Sequence, residues 1–271
     1  MRLHKTMLVC CFAVIANLSG ASMSQADEKT EAAKQEQVAL LNTVWIELET
    51  GDSLQAAAAV ESQGKPLQVA ALYSNLLRDL YGNKHDVPRM ILMGQAGIRY
   101  CLTQSATTAK NGASEDATKL KGFAKEMSFN LSVNTWPAWE DEGIVITRSD
   151  QRIGLDAARL NLRLAGELKR GPDKVGAAYW LLGVHEIALG EHDTAIKHLQ
   201  QAAENHRTAK EPDFEQMCVG YEAIAQLDKK RNDATAKKQL DDAVAALKKL
   251  DTEDAKFFAG QLVSVNAFFA K

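Results

Sequence analysis

The stretch YWLLGVHEIALGEHDTAIKHLQQAAE, Tyr179–Glu204, decides the fold. Apolar residues recur in it at three- and four-residue spacing, the period of a helix that buries one face. Large side chains at Tyr179 and Leu182 flank Gly183; after the turn GEHD at 190–193 come Ala195, Leu199 and Ala202. Small residues at Gly183 and Ala195 let two helices approach closely, and the larger ones fill the space above and below. A turn this short forces the two helices antiparallel.

A second copy follows. Phe214, Met217 and Cys218 repeat Tyr179, Leu182 and Gly183 at an offset of 35 residues, and Ala236, Leu240 and Ala243 repeat Ala195, Leu199 and Ala202 at an offset of 41. The difference falls in the polar run LDKKRND, 227–233, so this copy has a longer turn, and Cys218 in the glycine place loosens the close contact. Residues 176–209 resemble a tetratricopeptide repeat, and the resemblance extends over about 176–250. It implies a right-handed solenoid of stacked hairpins, since one hairpin cannot bury its own apolar face. It also implies that the first helix of each pair lines a concave face that receives segments of other proteins.

On that face the resemblance puts Trp180, Val184 and Ile187 in the first copy, and Glu215, Val219 and Glu222 in the second. The apolar trio would suit an anchor pocket; the mixed trio would suit a partner carrying a basic group beside an apolar one. A covering segment of the same chain, such as the apolar run DAKFFAGQLVSVNAFFAK, is the competing reading for this face.

Outside the repeats the same helical period runs through EQVALLNTVWIELE, PLQVAALYSNLLRDLYG, PRMILMGQAGIRYC, ATKLKGFAKEMSFNL and GLDAARLNLRLAGEL. Alanine, leucine, lysine, glutamate and glutamine favour helix, and β-branched and aromatic residues are sparse. Pro66, Pro88, Pro137, Pro172 and Pro212 all fall at polar or turn-forming places, where each marks a helix boundary. The expected fold is all-α, with nine to eleven helices stacked as antiparallel hairpins. The layout is a leader at 1–26, a polar start at 27–34, hairpins over 35–133, a connecting loop at 134–149 and the repeat-like helices over 150–271.

The leader is read from Arg2 and Lys5, the apolar run Met7–Leu18 and the small residues before Ala26, a pattern of export with cleavage after Ala26 or Ala21. The apolar run is too short to span a bilayer, and Cys10 and Cys11 lack the small preceding residue of a lipidation site, so no membrane anchor is expected. A periplasmic or extracellular location follows. Cleavage at Ala26 leaves 30 basic and 35 acidic residues, a formal charge of −5, which disfavours nucleic acid as a partner. Cys101 and Cys218 then remain, each in an apolar helical pattern where a cysteine acts as a small core residue; a disulfide between them is the alternative.

Chemistry could sit in NTWPAWEDEG, Asn134–Gly143. Trp136 and Trp139 could stack on a sugar ring, with Glu140, Asp141 and Glu142 giving hydrogen bonds, so carbohydrate or other small-molecule binding is an alternative function. Adjacent acids rarely straddle a scissile bond, however, and loop tryptophans commonly pack against a core, which makes this stretch a join between helices first. His185, His192 and His198 share one hairpin, but HEIAL has Leu189 where a zinc-protease helix needs its second histidine. No nucleophile elbow, phosphate loop or CxxC pair occurs in the mature chain. The expectation is a scaffold or adaptor for a protein or peptide partner, with no catalytic, cofactor or metal residues assigned; self-association is a further expectation.

Overall fold

The computed structural model describes Ala39, residues 42–50 and residues 52–271. The leader and the polar start read at 1–34 lie outside the described residues. Among those described the chain is helical throughout, with no strand, and none of its helices is long and apolar enough to cross a membrane. Residues 42–50 belong to a first helix, α1. It is followed by α2 (Ser53–Glu61), α3 (Pro66–Gly82), α4 (Val87–Lys110) and α5 (Ser114–Val133). A short 3-10 turn (Pro137–Trp139) leads to α6 (Arg148–Glu167), α7 (Pro172–Leu189) and α8 (His192–Ala209). The series closes with α9 (Pro212–Lys229), α10 (Ala234–Leu250) and α11 (Glu253–Phe269).

All five prolines stand in the first turn of an element, where the missing N–H costs nothing. Side chains supply the other starts: Asp52, Asp86, Asp233 and Thr252 accept from the exposed N–H groups of α2, α4, α10 and α11. Thr147 and Asp150 form a reciprocal capping box at α6. Gly190 closes α7 in the left-handed conformation, φ 82°. In the second copy α9 has the same 18 residues as α7, and the turn that follows it, 230–233, is longer than the turn 190–191 between α7 and α8.

From α3 onward each helix packs on the next, and the odd-numbered helices also pack on one another: α3 on α5, α5 on α7, α7 on α9, α9 on α11. The result is a stack in two layers, compatible with a helical repeat. Residues Leu41–Lys271 form one compact unit. Its apolar interior has two clusters that meet at α6, which gives Ala157 and Leu164 to the first and Leu155 and Ala158 to the second.

The closest approach within the α7–α8 hairpin is at Gly183, where a Cβ would lie 2.5 Å from Leu199 Cγ. In α9 that role moves two residues past Cys218, to Gly220, whose added Cβ would meet a Leu262 methyl at 2.3 Å and so lets α11 close on α9. Cys101 and Cys218 are both buried and free. They belong to different clusters, and burial pushes the Cys101 thiol up to about 12.

Candidate functional site

The connection between α5 and α6 is longer than the other turns, and it lies across the odd-numbered layer. Asn134 ends α5, the chain turns through Pro137–Trp139, and Glu140 (φ 49°) and Gly143 (φ 79°) reverse it. Trp136 is 1% exposed. Its indole N–H donates to the Val184 carbonyl of α7 at 2.8 Å, and the Trp139 N–H donates to the Val133 carbonyl at 2.7 Å. The rings build an edge-to-face cluster. Trp136 stands 4.7 Å from Trp139 and 5.7 Å from Tyr221 of α9, and Trp180 lies 5.8 Å from Tyr221 and 6.5 Å from Trp139. Phe269, at the end of α11, packs 6.5 Å from Trp136.

The carboxylates of this loop diverge. Glu140 pairs with Lys271, Asp141 accepts from the Tyr81 hydroxyl of α3 at 2.6 Å, and Glu142 is exposed. Burial and then the bond to Asp141 raise the Tyr81 hydroxyl well above its usual range. An open cleft with ring faces free and acids converging, which sugar binding at Trp136–Glu142 requires, is not what the loop forms. Its rings are spent on α7, α9 and α11.

The apolar stripe is accordingly closed. Trp180, Val184 and Ile187 are 7%, 1% and 1% exposed, and they belong to the same core cluster as Trp136. Helical spacing identifies the face they share but not what lies over it; the α5–α6 connection does. The second stripe faces elsewhere. Glu215 pairs with Arg207 of α8 at 2.9 Å. Glu222 accepts from Gln200 of α8 at 2.8 Å and Gln239 of α10 at 3.2 Å, so it turns toward the even-numbered helices. Val219, between them, is half-buried against the core cluster.

The histidines of the hairpin are separated. His185 is fully buried and meets the Ser132 carbonyl at 2.9 Å, His192 meets Asp228 at 2.7 Å, and His198 meets Glu186 at 2.8 Å. Among the described residues no group of three or more His, Cys, Asp or Glu is placed to hold a metal ion.

The residues that the sequence reading passed over are arginines. Arg148, Arg152, Arg159 and Arg163 of α6 are all exposed. At about 100° per residue, their spacing of 4, 7 and 4 keeps them within about 60° of arc along roughly 22 Å of helix. Three of them line a concavity of about 290 Å³ with Leu155 and Leu189, rimmed by Asp156 and Glu191. Arg159 bonds Asp156 at 2.9 Å and Arg163 lies 3.7 Å from Glu167. Arg148 and Arg152 carry no ion pair among the described residues. The signal was in the sequence, in RSDQRIGLDAARLNLR, but the negative overall charge hid a local positive row. No protein-family model matches the chain, and no curated protein matches it in sequence.

Proposed function

We propose that the chain is a non-catalytic scaffold of tetratricopeptide-like hairpins, exported by its leader, that holds an acidic segment of a partner protein along the arginine row of α6. The observation that carries this reading is the concavity bounded by Arg148, Arg152 and Arg159 over an aliphatic floor of Leu155 and Leu189. Every basic residue of α6 is arginine, whose planar fork matches a carboxylate with two parallel hydrogen bonds and is less strongly hydrated than lysine. The interleaved Asp156, Glu167 and Glu191 break the row into separate positive places. That suits discrete carboxylates better than a continuous phosphate ladder, in keeping with the acidic charge of the whole chain.

The test is titration of the mature chain with a labelled helical peptide bearing glutamates at the same 4, 7, 4 spacing, read by fluorescence anisotropy. Binding is expected to weaken at least about tenfold in the R148E/R152E double variant while the helical circular dichroism stays unchanged. Equal binding by both proteins, or stronger binding of single-stranded RNA than of the peptide, would discard the reading.

A further inference from the structure

We infer that the α10–α11 edge of the stack pairs with a second copy of this chain about a twofold axis. α11 is the outermost helix of the described stack, packed on α9, α10 and the 3-10 turn. From residue 257 to its end at residue 269 it contains no charged side chain. Its outward arc includes Val263, 58% exposed, with Ser264 and Ala267 beside it. An end helix left to water is ordinarily polar on its outer face, because a solenoid otherwise presents the same sticky surface that its inner repeats bury. Here that surface continues into a groove of about 420 Å³ between the two helices, lined by Leu240, Asp241, Val244, Ala245, Lys248, Val263 and Asn266.

Charge chooses the occupant. The α10 wall of the groove has Asp241 at one end and Lys248 at the other, seven residues or about 10 Å apart along the axis. Among the described residues Asp241 pairs only with the exposed Lys237, at 3.0 Å, and Lys248 has no ion pair. A twofold axis between Val244 and Ala245 brings two α10 helices antiparallel. It sets Asp241 against Lys248 of the partner subunit and, by symmetry, repeats the pair at the other end. Val244 and Ala245, which flank the axis, then meet across it. A helix of another protein would have to reproduce this acid-to-base order; a second copy carries it already.

Sedimentation of the mature chain over a range of concentrations tests the pairing. Wild type is expected to show reversible dimerisation. D241K and K248E should each raise the dissociation constant at least about tenfold, since each sets like charges against one another twice. Mixing the two variants should restore a dimer containing one of each, because the lysine introduced in one chain then meets the glutamate introduced in the other. V263D should dissociate the dimer in any combination, and thermal melting of each variant reports whether the fold is kept. A monomer at all concentrations, a dimer indifferent to these changes, or variants that fail to pair when mixed would each overturn the inference. The arginine row lies on another helix, so D241K should bind the acidic peptide as wild type does; loss of dimerisation and loss of peptide binding are therefore separable.

Discussion

The indole N–H of Trp136 donates to the carbonyl of Val184, 48 residues along the chain, at 2.8 Å. This bond fastens the α5–α6 connection to α7, and the ring around it touches α9 and α11. Replacing so large and so buried a side chain leaves a cavity where four segments meet. Trp136→Ala should cost about 3–5 kcal/mol in urea unfolding, and Trp136→Phe, which keeps most of the ring, clearly less. Trp139→Ala should cost less than Trp136→Ala, since Trp139 is only partly buried. A loss below about 1 kcal/mol for Trp136→Ala would mean that the loop does not seat there.

Tyr221 makes the opposite prediction. Its ring is packed between Trp136 and Trp180, but its fully buried hydroxyl has no hydrogen-bond partner among the described residues. A buried hydroxyl without a partner lost its water on folding and regained nothing, at a cost of about 1–3 kcal/mol. Tyr221→Phe keeps the ring contacts and removes that cost, so thermal melting should show a midpoint equal to or above that of wild type. A fall in stability of more than about 1 kcal/mol would show that the hydroxyl is hydrogen-bonded after all.

These two residues also show where sequence reading stops. The helices were legible because prolines, acidic caps and the three-and-four period are local properties, and Gly183 against Leu199 lies within one hairpin. The stripe of Trp180, Val184 and Ile187 was legible as a shared face for the same reason. What covers it was not, because Trp136 reaches Val184 across two intervening elements and no periodicity records that distance. Equally, Glu215 and Glu222 lie in register with the first copy, yet they meet Arg207, Gln200 and Gln239, partners chosen by how neighbouring helices pack. The arginine row of α6 was local and readable. It went unread because net charge averages over the whole chain.

Gly183 and Leu199 should behave as a coupled pair. A Cβ at residue 183 would stand 2.5 Å from Leu199 Cγ and 2.8 Å from one of its methyl carbons, so Gly183→Ala forces the leucine or the whole of α8 to move. Overpacking of this kind costs about 1–3 kcal/mol. Leu199→Ala, at a fully buried site, should cost about 2–5 kcal/mol through its cavity. In the double variant the new methyl occupies part of that cavity, so the combined loss should fall short of the sum by at least about 0.5 kcal/mol. Strict additivity in chemical denaturation would show that the two helices do not meet at this point.

His185 should make the stack sensitive to acid. The ring is fully buried and its Nε2 lies 2.9 Å from the Ser132 carbonyl, to which the neutral ring donates. A Cβ on Gly154 of α6 would come 2.3 Å from the His185 Cε1, so that helix closes the space beside the ring. Burial holds the imidazole at about 4, well below the 6.5 of a free histidine. The unfolded chain therefore takes up a proton at this residue before the folded chain does. Its contribution to stability is complete above pH 6.5, declines as the pH falls from 6.5 to about 4, and is then constant. A shift of this size corresponds to about 3 kcal/mol. Burial also raises the Glu186 carboxyl, so the difference between wild type and His185→Gln is the quantity to follow. Glutamine can still donate to Ser132 and does not titrate. Urea unfolding of both proteins from pH 7.5 to 4.5 should show wild type losing about 2–3 kcal/mol more than the variant, most of it below pH 6.5. Parallel curves would mean that the ring takes up its proton at the same pH in the folded and unfolded chains, and that α6 and α7 do not close around it.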